Sequence, residues 1–227
     1  MPFSAQSLDF LFENRLHDSK SWFDEHKETF QTLVLQPLQQ LVTDLTPCAL
    51  EIDSRFITEP RTGRTISRIR RDTRFSKDKS IYRDYMWIHF DRPNDGLELP
   101  CVYFDMGGDG FGYGCGYYSP STGYMDTLRR LVLEGDPVFL QAKKAYEQQT
   151  VFTLEGETYK RPHYSDQPED LRCWLELRGI SFSARSKDFP LLFSDRLADQ
   201  LKEDLPLLKP FYDFLVHVGE VQAAHRS

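Results

Sequence analysis

Every second residue from Gly108 to Gly116 is glycine: Gly108, Gly110, Gly112, Gly114 and Gly116 alternate with Asp109, Phe111, Tyr113 and Cys115. Period two belongs to a strand, whose successive side chains point to opposite faces. The run therefore predicts a strand over Gly110 to Tyr118 with one face bare and the other aromatic. A glycine inside a strand costs about 0.5–1 kcal/mol against alanine, so something must approach the bare face closely. A packing helix is the favoured neighbour; another backbone or the floor of a ligand pocket are the alternatives. No helix opens after the run, so it is not a dinucleotide fingerprint, and no Gly-Lys-Ser/Thr closes it as a P-loop.

The surrounding segments extend this to a fold. Ile52 to Ile57, Tyr85 to Phe90 and Leu99 to Met106 also read as short strands. Arg92-Pro93-Asn94-Asp95-Gly96 and Gly107-Gly108-Asp109-Gly110 are hairpin punctuation, so the strands are expected antiparallel. Ser4 is expected to cap a helix with Leu8, Leu11 and Phe12 on its inner face, ending near His17. A second helix starts at Asp18 or Ser19, is kinked by Pro37 and stops at Thr46-Pro47. Helices return over about Thr122 to Glu134, after Asp136-Pro137, over Glu169 to Leu177, and from about Ser194 to Val218 with breaks at Pro206 and Pro210. Val151 to Tyr159 reads as a hairpin. The expectation is a single α+β domain over residues 1–227, a central antiparallel sheet between N- and C-terminal helices, with a disordered tail from about 220 to 227.

Composition enters mainly by exclusion. No apolar run approaches the ~18 residues of a membrane span, and Met1-Pro2-Phe3-Ser4-Ala5-Gln6 lacks the marks of a signal peptide. Cys48, Cys101, Cys115 and Cys173 form no C-x-x-C pair, and the six histidines no H-x-x-x-H. Neither a metal nor another cofactor is expected, and the location expected is cytoplasmic.

The charge is unevenly placed. From Arg55 to Arg83 ten Lys or Arg face only Glu59, Asp72 and Asp78, a balance of +7; with a total of −7, the rest carries −14. Such a focused basic segment suits a small anionic ligand better than nucleic acid, which usually meets a basic domain. Its densest part holds Arg68, Arg71, Asp72, Arg74, Asp78, Lys79 and Tyr82, the ligand-binding candidates. Converging guanidinium forks match carboxylate and phosphate, while Asp72 and Asp78 can orient them and Tyr82 can add a hydroxyl. Read as a catalyst, Asp72 is the general base, Lys79 the oxyanion stabiliser and Tyr82 a further candidate. Read as structure, the same residues are a salt-bridge network inside a protein-interaction domain. Nucleic-acid binding, with Tyr117 and Tyr118 stacking on bases, is the other alternative. Neither enzyme activity nor oligomeric state follows from the residues.

The pattern Arg68-x-x-Arg71-Asp72-x-Arg74-Phe75-x-x-Asp78-Lys79-x-x-Tyr82 resembles the signature of a family of bacterial proteins about this long. Related regions occur in longer fungal proteins, and the family is catalogued as a domain of unknown function. The likeness extends to Phe10-Leu11 with Trp22-Phe23, to Pro37-Leu38-x-x-Leu41, to the glycine strand ending at Tyr118, and to Arg161-Pro162 leading to Arg178. Similar proteins tend to carry Lys at that last position. The resemblance covers nearly the whole chain, implies one domain and points to the basic motif; it brings no activity.

Overall fold

In the computed structural model, which describes residues 2–93, 96–117 and 119–226, five segments form one antiparallel sheet. They are Tyr85–Phe90 (β1), Cys101–Gly107 (β2), Gly110–Tyr117 (β3), Thr153–Glu155 (β4) and Ile180–Ser186 (β5), ordered β1-β2-β3-β5-β4. Alternation sorts their side chains. Met86, Ile88, Phe90, Val102, Phe104, Met106, Phe111, Tyr113, Cys115 and Phe182 are buried in the core. Tyr85, Trp87, Tyr103, Asp105, Ser183, Arg185 and the strand glycines fall on the other face, as the register requires.

The N-terminal helices are Ala5–His17 (α1), Lys20–Glu25 (α2), Lys27–Phe30 (α3) and Gln36–Ile52 (α4), with a π turn over Gln31–Leu35. Ser4 caps α1 as expected, and Ser7 Oγ accepts its N–H at 3.0 Å. The inner face of α1 is Ser7, Phe10, Leu11 and Asn14, however, and Phe12 stands outside at 63% exposure. Pro37 has no N–H to continue the ladder, and the i→i+5 turn just before it, with Gln36 N–H on Gln31 O, is where the helix changes course. Pro47 does not stop α4, which runs on to Ile52 and replaces the strand expected at Ile52 to Ile57. The helical bond that Pro47 cannot make is the one to the carbonyl of Thr43, and both residues lie on the exposed side of the helix.

Helices Thr122–Glu134 (α5) and Pro137–Glu147 (α6) agree with the expected ranges, and Asp136 caps α6 by accepting from Val138 and Phe139 N–H. The remaining helices are Glu169–Leu175 (α7), Phe189–Leu192 (α8), Arg196–Asp204 (α9) and Lys209–Arg226 (α10), with a 3₁₀ turn over Leu205–Leu208 at Pro206. Where a tail was expected, α10 continues to Arg226, tied by Gln222 Nε2 donating to Ser121 Oγ at 3.1 Å. Val151 to Tyr159 is no hairpin: β4 pairs with the distant β5. The strand β5 has the alternation Ile180-Ser-Phe-Ser-Ala and was not expected.

One polar group fastens the layers. Asp53, at the C-cap of α4, accepts from Arg55 N–H at 3.0 Å, from Tyr212 Oη of α10 at 2.9 Å, and from Arg92 Nε. The side chains of Asp53 and Arg92 are only 6% and 5% exposed. Burial alone would raise the Asp53 pKa, but the hydrogen bonds from Arg55, Arg92 and Tyr212 outweigh it and leave it lowered.

Candidate functional site

The basic segment springs from the free edge of β1. Ile66 pairs with Ile88, His89 N–H donates to Thr65 O at 2.9 Å, and Ser67 N–H to Trp87 O at 2.9 Å. The chain then folds on itself. Arg71 N–H reaches Ile81 O at 2.8 Å and Arg83 N–H reaches Ile69 O at 3.0 Å, so residues 69–71 and 81–83 form a short hairpin closed by loop 72–80. Ile69 and Tyr82 point inward and anchor it. Tyr82 is 1% exposed, stacks on Phe23 with centroids 5.1 Å apart, and carries the Arg70 guanidinium 6.0 Å from its ring. At the C-cap of α1, Asp18 Oδ1 accepts Ile81 N–H at 2.7 Å and Tyr82 N–H at 3.0 Å.

Within the hairpin the arginines divide. Arg71 donates to Asp78, to Ser80 Oγ at 2.8 Å and to Ser76 Oγ at 3.3 Å, while Arg15 of α1 donates to the same Asp78 oxygen at 2.8 Å. Hydrogen bonds from the Ser80 hydroxyl and N–H, then from Arg71, hold the Asp78 carboxyl well below the usual range. Arg74 forms a fork on Asp72 at 3.0 and 2.6 Å, and that side-chain hydrogen bond holds Asp72 down to about 2. Lys79 Nζ donates to Thr73 O at 2.9 Å. Arg83 donates to the carbonyls of Arg68 at 3.1 Å and Arg70 at 2.6 Å, and lies 4.8 Å over Trp87. Arg71 and Arg74 therefore end on carboxylates of their own loop. Among the described residues no carboxylate is within ion-pair distance of Arg68, Arg70, Lys77, Lys79 or Arg83.

A frame this specific spans most of the chain, and residues 6–214 match the conserved hypothetical proteins designated DUF2461. The chain belongs to that family. No curated protein and no solved structure matches it. For a DUF2461 protein the chemistry must accordingly be read from the side chains themselves.

The glycine face of β3 meets a backbone, one of the three neighbours foreseen, and not the favoured helix. A Cβ on Gly114 would lie 2.0 Å from Phe182 O of β5. Across this bare strip Tyr103 Oη and Ser183 Oγ bond at 2.7 Å, and Arg185 Nη1 donates to Asp105 Oδ1 at 3.1 Å. A Cβ on Gly112 would come within 2.8 Å of Arg185 Nη1 and obstruct that link. Burial raises the Asp105 pKa against the lowering pull of Arg185. Sequence reasoning missed Arg15, Asp18, Asp105 and Arg185; only the glycine alternation hinted at the last pair. Tyr117 packs edge-on against Tyr124 at 5.2 Å, and Tyr118 lies outside the described residues. Among the described residues no three His, Cys, Asp or Glu side chains gather as metal ligands.

Proposed function

We propose that the hairpin is a binding site for a small anionic ligand carrying phosphate or an equivalent multivalent group. The observation that supports it is the charge left over. Between Arg68 and Arg83 seven Lys or Arg accompany Asp72 and Asp78 alone, and both acids are committed to Arg74 and Arg71. The Arg68 guanidinium lies against Gly63, and that of Arg70 over the Tyr82 ring, neither facing a carboxylate. Arg83 fixes the carbonyls of both. In this reading Arg68 and Arg70 are the forks, Lys77 and Lys79 add charge, and Asp72 and Asp78 position Arg74 and Arg71. Tyr82 contributes its ring beneath Arg70. A carboxyl at about 2 is a weak base at neutral pH, so Asp72 is assigned orientation and no proton transfer is proposed.

The test is calorimetric titration and thermal shift with inorganic phosphate, pyrophosphate and a panel of phosphorylated metabolites. A charge-assisted fork is worth about tenfold or more in affinity. The double variant Arg68→Ala/Arg70→Ala is expected to lose at least that while melting as the parent does. If no phosphate-bearing compound shifts the melting temperature at millimolar concentration, or if the double variant binds unchanged, the proposal fails.

A further inference from the structure

Two features that reach beyond that reading complement each other, the first sharing only Lys77 and Lys79 with it. Phe75, at the tip of loop 72–80, is 94% exposed, with the Arg74 guanidinium 5.7 Å from its ring and Lys77 and Lys79 following in the chain. Beside α1 a cleft of about 830 Å³ opens toward the β2–β3 turn. Its apolar wall is Leu8, Phe12 and Tyr85, the last 47% exposed. Its charged groups are Asp84, Asp105 and Asp109 against Arg185 and Lys187. Since Asp105 and Arg185 are paired, Asp84 and Asp109 leave the cleft net negative. Leu16, one turn beyond Phe12, is also exposed.

We propose that the chain pairs as a two-fold dimer in which the Phe75 loop of each copy docks into the α1 cleft of the other. The tip offers an aromatic ring followed by Lys77 and Lys79, Arg74 being paired with Asp72; the cleft offers aromatic and aliphatic walls with Asp84 and Asp109 against Lys187 alone. Within one copy the tip stays in solvent, so the cleft is not filled by its own loop. Both halves of the pair also lie along one helix: Arg15 of α1 holds Asp78 of the loop, while Leu8 and Phe12 of α1 wall the cleft. An isologous contact requires such a layout, with a feature and its complement on one patch so that a two-fold axis brings each to the other. Exposed large apolar groups gathered on one patch are the usual mark of an interface. A second copy supplies both the apolar ring and the cations that the cleft lacks.

Sedimentation velocity of the full chain over a concentration series tests this. A reversible monomer–dimer equilibrium is expected. Burying one Phe is worth about tenfold or more in association, and symmetry uses it twice, so Phe75→Asp should weaken the dimer about a hundredfold or more. Asp84→Lys/Asp109→Lys should do likewise, and mixing the two variants should restore a heterodimer through the one intact loop and the one intact cleft. Thermal unfolding checks that each variant is folded; Phe75→Ala serves if Phe75→Asp is not. A monomer at every concentration, a dimer indifferent to Phe75, or a monomer whose cleft binds simple aromatic amines would overturn the proposal. Phosphate titration of Phe75→Ala keeps the two readings apart, because it adds no charge and leaves Arg68, Arg70, Lys77 and Lys79 untouched.

Discussion

Arginine meets aspartate in two very different settings in this molecule. Asp53 and Arg92 pair inside the protein, with Tyr212 completing the carboxylate's shell. Asp72 with Arg74, and Asp78 with Arg71, pair on the surface of the hairpin. The partners are the same chemically, but their surroundings assign opposite roles. Inside, desolvation makes each charge costly and its partner indispensable. Outside, water screens the pair and mobile side chains repay little of their lost entropy. Burial, more than pairing, decides which contact holds the fold. The surface pairs instead shape a loop and leave the neighbouring cations uncompensated.

The sharpest way to break this comparison is to remove one partner from each setting. Asp53→Ala strands Arg92 and Tyr212 without their acceptor, and a buried pair broken on one side costs about 3–5 kcal/mol. Urea denaturation should register that loss with an unchanged slope. A loss no larger than that of Asp78→Asn would mean that burial does not separate the two settings.

Much of this architecture was legible because it is local. Ser4, Asp136-Pro137 and the alternating glycines announce caps and a strand by chemistry acting within a few residues. The strand β5 carried an equally readable alternation, Ile180-Ser-Phe-Ser-Ala, but its partners β3 and β4 lie far off in the chain. Pro47 misled because packing on either side carries α4 through it, with Pro47 and Thr43 on the exposed side and Leu45, Cys48 and Ala49 in the core. The candidate site divides in the same way. Its cations were plain in a segment of +7, and Asp72 and Asp78 stand within it. Arg15 and Asp18, which fix the hairpin from α1 and its C-cap, are 63 residues from their partners Asp78 and Ile81. Nothing in local spacing reports such a tie. The buried Asp53–Arg92 pair was equally hidden, since Arg92 sits among turn residues and only the packed helices make its surroundings dry.

A smaller effect would sharpen the contrast at the surface. Asp78→Asn keeps the side chain's shape and some of its hydrogen bonds but removes the charge facing Arg71 and Arg15. The denaturation midpoint should move by only a small fraction of the shift in Asp53→Ala. Phosphate affinity should rise, by up to about fivefold, the worth of one unit charge at about 4 Å in water. Calorimetry on the variant measures it. Weaker binding would show that Asp78 serves the ligand by ordering the loop more than it opposes it by charge.

The smallest effect is in acid. The Arg74 fork holds Asp72 at about 2, and the bonds from Ser80 and Arg71 lower Asp78 as well. A carboxylate depressed in the folded state stabilises it above the unfolded value near 4, and the contribution is lost as pH falls through the folded value. The Arg74–Asp72 pair should therefore be intact at neutral pH and its contribution lost between about pH 4 and pH 2, with the Asp78 pairs outlasting it in stronger acid. Asp105 runs the other way, because its burial favours the protonated form and raises its pKa. Carbon-detected NMR titration of the Asp carboxyls should place the Asp72 midpoint near 2 and that of Asp105 above the ordinary value. An Asp72 midpoint near 4 would mean that its fork with Arg74 is seldom formed in solution, adding Arg74 to the cations free for a ligand.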